Sequence, residues 1–148
     1  MIISNKEVRK KFKALWFGLE YIWLFDKSGW SCPTLDQVKE ALATSKVPGM
    51  DWVDEFNDCD DFALHFLSEF KRKRYFSYKV GNIPKEDLFP SAIFNVFGDR
   101  FRGKDSIHML NAVICSDGYI YMVDATPYSK AVWKATSFGD NVLFVSSV

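Results

Sequence analysis

A cysteine, a histidine and an aspartate at positions 59, 108 and 124 are the residues of this chain best suited to covalent chemistry. Cys59 stands in the run Asn57-Asp58-Cys59-Asp60-Asp61-Phe62-Ala63. A thiolate is the reactive form of cysteine, and a helix N-terminus favours it because unpaired backbone N–H groups point at the sulfur. An imidazole such as His108 can take the thiol proton and return it to a leaving group. A carboxylate such as Asp124 can fix the ring's tautomer and stabilise its charged form. The Cys59 N–H is a natural half of an oxyanion hole, with Trp52, Asn57 and the preceding backbone as candidates for the second donor.

Each residue also has a plainer explanation. A cysteine on an apolar helix face is often a small core residue. A histidine near a strand start is often a satisfied surface or core group, and an aspartate before Ala125-Thr126-Pro127 is a common turn former. Their joint occurrence, in this order and around this cysteine, argues for a Cys-His-Asp catalytic triad. His65 falls off the Cys59 face, and Cys32 and Cys115 read as structural. A metal site of Cys59, His108 and an aspartate is a further alternative, for which the spacing is not diagnostic.

The acidic neighbours complicate this picture. Asp58, Asp60 and Asp61 crowd the sulfur with negative charge, which opposes thiolate formation. Asp58 can act as a helix cap, with Asp60 and Asp61 complementing the dipole. Alternatively, Asp58 and Asp60 ligate a hard cation such as Ca²⁺, although two carboxylates without a third ligand make a poor calcium site.

The elements that must position these groups follow from periodicity. Residues 5–26 read as a helix with an apolar stripe from Val8 to Trp23, capped by Ser4 or Asn5. Thr34 caps a short helix through about Ser45. Residues 51–57 suggest a helical turn. The Cys59 helix runs to about Arg72, with Phe62, Ala63, Phe66 and Phe70 on the Cys59 face. Its end, Lys71-Arg72-Lys73-Arg74, reads as a solvated basic terminus. The period then changes to two, and strands are expected over 75–80, 92–97, 107–115, 119–124, 131–135 and 142–148. Helices followed by strands imply an α+β fold, with N-terminal helices and the Cys59 helix packed on an antiparallel sheet.

The turn at Cys115-Ser116-Asp117-Gly118-Tyr119 decides whether His108 and Asp124 can meet. A two-residue loop puts them on opposite faces. A three-residue loop pairs Cys115 with Tyr119 and makes them diagonal neighbours, about 7–8 Å apart at the backbone. Gly118 suits the left-handed position of that longer turn.

At 148 residues the chain reads as a single domain over 1–148. A hydrophobic content of 48% excludes disorder. Nineteen basic and nineteen acidic residues cancel, so no general attraction to nucleic acid or to anionic membranes is expected. Three cysteines without framework spacing suit a reducing compartment. With no secretory signal and no membrane span visible, a cytoplasmic location is expected.

The motif Asp58-Cys59-Asp60-Asp61-Phe62-Ala63, with His108-Met109-Leu110-Asn111 and Tyr121-Met122-Val123-Asp124-Ala125-Thr126-Pro127, resembles the transglutaminase-like and papain-like cysteine peptidases. It is similar above all to the bacterial transglutaminase-like cysteine proteinases and to the papain-like domain of the MOA-related fungal lectins. The resemblance covers roughly residues 51–127. It implies a papain-like fold, Cys59 as nucleophile, His108 as base, Asp124 as orienter, and calcium on Asp58 and Asp60. The expected function is a cysteine peptidase or amidase, a hydrolase acting on a peptide or amide bond of a protein substrate. The alternative is an inactive papain-like scaffold that serves as a protein-binding or inhibitory module. Met109 after the histidine and the long segment before His108 depart from the family pattern.

Overall fold

The computed structural model describes residues 1–54 and 58–148. Chain order is β1 (Ile2–Ile3), α1 (Asn5–Leu15), β2 (Tyr21–Trp23), β3 (Trp30–Ser31), α2 (Leu35–Thr44), α3 (Cys59–Lys79), β4 (Ile93–Phe101), β5 (Lys104–Ile114), β6 (Ile120–Asp124), β7 (Ala131–Lys134) and β8 (Asn141–Ser146). Short 3₁₀ turns lie at Val47–Gly49 and Lys85–Asp87.

Six strands form one sheet in the order β2-β8-β4-β5-β6-β7. All its pairings are antiparallel except β2 with β8, which is parallel. The expected purely antiparallel sheet is therefore corrected to a mixed one. The small pair β1–β3 lies outside it and has no periodic signal in the sequence.

Alternation along the strands sends side chains into two cores. On one face Phe94, Val96, Leu110, Ala112, Ile114 and Met122 pack with Val8, Phe12 and Trp16 from α1 and with Trp30. On the other, Ile93, Val113 and Val123 pack with Val38 and Leu42 from α2 and with Phe62, Phe66 and Phe70 from α3. The molecule is thus a sheet with helices on both faces.

Two elements differ from the sequence reading. The first helix stops at Leu15, and Trp16 caps it with its N–H on the Phe12 carbonyl at 3.0 Å. Tyr21, Ile22 and Trp23 then alternate exposed, buried, exposed beside β8. Leu19, Ile22 and Trp23 fit helical spacing by coincidence: the Leu19 N–H closes a turn on the Trp16 carbonyl, and the open edge of β8 decides the conformation of Ile22 and Trp23. Conversely, 75–80 is not a strand. With no Gly or Pro before Gly81, α3 continues to Lys79.

The basic run consequently lies inside α3 and is not simply solvated. Lys71 Nζ donates to the Ser147 carbonyl at 2.7 Å and sits 5.6 Å from the Trp30 ring centroid. Arg74 donates to the carbonyls of Phe89 and Asp87 at 2.7 and 2.8 Å. Of the helical turn expected at 51–57, residues 55–57 lie outside the described residues, and 51–54 are not helical.

Candidate functional site

Cys59 is the first residue of α3 and is half-buried. Asp58 before it is extended, with φ −112° and ψ −158°, and its carbonyl accepts the first helical bond, from the Phe62 N–H at 3.0 Å. The Asp58 N–H donates to Asp61 Oδ2 at 3.4 Å, closing the helix start. Behind Cys59, the fully buried Phe62 and Phe66 fix the helix on the sheet.

The β5–β6 turn is the three-residue one. The Cys115 N–H donates to Tyr119 O at 3.0 Å and the Gly118 N–H to Cys115 O at 2.9 Å. Gly118 has φ +88°, a conformation that favours glycine. Pairs Ile114–Ile120 through Asn111–Val123 carry this register toward the site.

His108 and Asp124 meet as a result. His108 Nε2 lies 3.1 Å from Asp124 Oδ2. Both share the alternation of Leu110, Ala112 and Met122, on the face that α1 covers. The His108 ring also hydrogen-bonds the Cys59 sulfur from α3. Since Nε2 is taken by Asp124, the nitrogen left for the sulfur is Nδ1.

Electrostatics follow from this geometry. Burial pulls the His108 pKa down, but hydrogen bonds to Asp124 and to the Cys59 sulfur more than offset it and lift it to about 9. Burial pushes the Asp124 carboxyl up, yet the His108 hydrogen bond and the Thr126 N–H, 3.0 Å from Oδ1, hold it below its ordinary value. The imidazolium form of His108 is thus favoured near neutral pH. Burial pushes the other two thiols up, Cys32 to about 11 and Cys115 to about 12, so neither is set for reaction. His65 is exposed on α3.

Beside the sulfur, one ligand atom from each of Asp58, Cys59 and Asp60 lies within 4.8 Å of the others. The Asp60 carboxyl is raised, first by its hydrogen bond to Asp58, then by burial and by the charges of Asp58 and Asp61. The two carboxylates thus repel one another beside the sulfur, which disfavours the charged form of Asp60.

Three features escaped the sequence reading. Asn111, fully buried, donates through Nδ2 to the Ala63 carbonyl of α3 at 3.0 Å and to Asn95 Oδ1 at 2.9 Å. A lone Asn within an apolar strand was the only available signal. The Trp52 ring stacks on Phe62 at 5.8 Å and meets the exposed Tyr128 edge-on at 5.6 Å, forming an aromatic wall beside α3. The Trp52 indole N–H is committed to Asp54 Oδ1 at 2.7 Å, which removes it as an oxyanion donor. The other side-chain candidate, Asn57, lies outside the described residues.

No family model and no curated protein matches the chain. Solved structures do. The chain is similar to Polyporus squamosus lectin bound to the human-type influenza-binding epitope Neu5Aca2-6Galb1-4GlcNAc, with a TM-score of 0.70 and 19% identity over 98% of this chain and 49% of that one. It is also similar to the protein of a PSL1a–E64 complex, with a TM-score of 0.70 and 17% identity over 98% of this chain and 51% of that one. The chain spans about half the length of these neighbours.

These likenesses correct the family expectation. The fold is a mixed, sheet-rich one, with eight strands and three α-helices among the described residues, shared with a lectin. It replaces the papain-like, transglutaminase-like fold, and membership of that peptidase superfamily is withdrawn. The expected peptidase or amidase function, with its hydrolase and cysteine-protease labels, is corrected on the same ground: the neighbour is a sugar-binding protein. The alternative of an inactive papain-like scaffold that binds or inhibits proteins gains no support from it either. Among the described residues no helix is long and apolar enough to cross a membrane.

Proposed function

We propose that Cys59, His108 and Asp124 form a nucleophilic thiol site on a lectin-like fold. The observation that carries this reading is the imidazole held between carboxylate and sulfur, with its pKa lifted to about 9. Such a base matches a thiol in proton affinity. In its neutral form His108 takes the Cys59 proton on Nδ1 as the sulfur forms a bond to an electrophilic carbon. The bond from that carbon to the departing group breaks, and the imidazolium returns the proton to that group. Asp124 keeps the ring oriented and stabilises its charge. Mapping of alkylation by iodoacetamide tests this, with S–C bond formation expelling iodide. Cys59 is expected to react well ahead of Cys32 and Cys115, and His108→Ala to slow it. Equal labelling of the three thiols in the folded protein would sink the reading.

A second reading, carbohydrate binding, is favoured by the lectin neighbour and by the Trp52–Tyr128 wall. Tyr128 is 78% exposed, and an exposed aromatic face can lie against the C–H face of a sugar ring. Titration of the trisaccharide named for that lectin into this chain and its Tyr128→Ala variant tests it. Binding lost in the variant supports the reading, and no saturable binding refutes it.

For the acidic pair, we propose a hard cation. Calcium prefers oxygen donors and a thiol is soft, so Asp58 and Asp60 are the donors and Cys59 is not. Their ligand atoms lie within 4.8 Å of one another, and the mutual repulsion that raises the Asp60 carboxyl is one a cation would relieve. Three free thiols suit the reducing compartment expected from the sequence.

A further inference from the structure

The turn tips at one end of the molecule carry groups that neither the cores nor the thiol site use. Among the described residues, Phe17 and Phe138 are the most exposed large apolar side chains, at 98% and 90%. Phe17 follows Trp16, the C-cap of α1, and Phe138 sits between β7 and β8. The two turns are joined, since the Trp16 indole N–H donates to the Asp140 carbonyl at 2.8 Å. The β4–β5 turn completes the group. Its Gly103 N–H donates to the Gly139 carbonyl at 2.7 Å and its Arg102 N–H to Asp140 Oδ1 at 3.1 Å.

Hydrogen bonds hold these tips in place. The buried Asp140 also accepts from the Trp133 indole at 3.1 Å and from the Thr136 N–H at 3.0 Å. Thr136 Oγ1 accepts from the Gly139 N–H at 2.9 Å, which closes the turn that carries Phe138. The Leu19 N–H, 2.9 Å from the Trp16 carbonyl, closes the turn that carries Phe17. A fixed turn that gives a phenylalanine ring wholly to water adds nothing to the core, and its apolar surface is left for contact with something else.

Charge gathers at the same end. The chain is neutral as a whole, yet α1 carries Lys6, Arg9, Lys10, Lys11 and Lys13 against the single acid Glu7. Lys6, Lys10 and Lys13 are exposed and follow at steps of four and three residues, so they form one stripe that leads to Phe17. Arg102 and Lys104 are exposed at the β4–β5 turn, against Asp99 and Asp105. Arg102 lies on the Trp133 ring, 5.2 Å from its centroid, and Arg9 is spent on the Ile22 carbonyl at 2.7 Å. The stripe that remains is lysine. Its point charges suit a diffuse negative surface and not the paired hydrogen bonds by which arginine reads nucleic-acid phosphates.

We propose that this end of the protein docks on an anionic lipid bilayer. Phe17 and Phe138 enter the interfacial layer, while Lys13, Arg102 and Lys104 meet acidic headgroups. Shallow apolar anchors combined with basic charge give reversible attachment at a membrane surface. Attachment of this kind needs no spanning helix, in keeping with the described helices.

Co-sedimentation of the whole chain with phosphatidylcholine vesicles, with and without phosphatidylserine, tests this. Binding is expected to the vesicles that contain phosphatidylserine, and to fall as salt is raised. Phe17→Ala and Phe138→Ala are each expected to weaken it about tenfold. Lys10→Glu with Lys13→Glu is expected to weaken it at least about tenfold. All four positions are exposed, so the melting temperature is expected to hold. Cys59 alkylation is expected to keep its rate in every variant, so failure here is distinct from failure of the thiol site. Absence of binding to phosphatidylserine vesicles overturns the proposal. So does equal binding to phosphatidylcholine alone, or an affinity unchanged in the folded double phenylalanine variant. Tighter binding of a single-stranded oligonucleotide would assign the surface to nucleic acid instead. A dimer that both phenylalanine substitutions dissolve would assign it to a second copy of the chain. Either result overturns the proposal.

Discussion

Asn111 on β5 holds the Ala63 carbonyl of α3 at 3.0 Å, one turn beyond Cys59 and three residues beyond His108. This single buried amide ties the helix that carries the thiol to the strand that carries the imidazole. Asn95 Oδ1 fixes the amide's orientation from β4. Positioning to within a fraction of an ångström is what a proton-transfer pair demands, and a rigid buried hydrogen bond supplies it.

Replacing Asn111 by Ala should therefore act twice. Losing the amide leaves Asn95 short of a partner inside the core, at a cost of about 1–3 kcal/mol. Urea unfolding should report that loss, and Cys59 alkylation should slow in the protein that remains folded. An unchanged alkylation rate would mean that α3 is held by packing alone.

Asp124→Asn should lower the His108 pKa from about 9 back toward 6.5. The amide keeps the shape but removes the negative charge. NMR titration of the imidazole reads this directly. A pKa unmoved by the substitution would show that Asp124 does not charge the ring.

The same pair makes stability depend on pH. His108 is raised by folding, so its contribution is full below 6.5 and is lost as pH rises through about 9. Asp124 is lowered, so its contribution is present above 3.8 and is lost as pH falls through its depressed folded value. Urea midpoints should fall between about pH 6 and about pH 10, and less so in His108→Ala. A midpoint that falls equally in the variant would assign the dependence to other groups.

Calcium should raise the melting temperature of the protein, and EGTA should reverse it. Asp58→Asn with Asp60→Asn should abolish the response while keeping the fold. A response that survives both substitutions would place the cation elsewhere.

Gly98 pairs with His108 across β4–β5, and a Cβ there would run into the Asn141 carbonyl oxygen. Gly98→Ala should cost about 1–3 kcal/mol and displace β8 or β5. Thermal unfolding and the His108 imidazole signals would show both effects.

The sequence made the hairpin legible because parity there is rigid. Gly118 allowed two turns, only one of them brings His108 to Asp124, and that turn is the one observed. The helix ends were less legible. Ile22 and Trp23 satisfy a 3.6-residue period and a strand edge alike, and only β8, more than a hundred residues on, decides between them. Tyr75 to Val80 carries β-prone aromatics, but nothing stops α3 before Gly81. Asn111 and the Trp52–Tyr128 wall are tertiary facts with no local spacing to announce them. The family expectation failed for a different reason: a short motif around a cysteine describes a local helix start, whereas the fold is fixed by how six strands are ordered.

That order has a consequence for how the chain becomes a folded body. β8 lies between β2 and β4, so the strand latest in chain order fills a gap one place in from the edge of the sheet. Until 141–146 arrive, β2 has no neighbour to hold it and β4 presents a bare, sticky margin. Closure therefore waits on contacts between opposite ends of the polypeptide, which makes assembly slow and leaves a half-made protein prone to self-association.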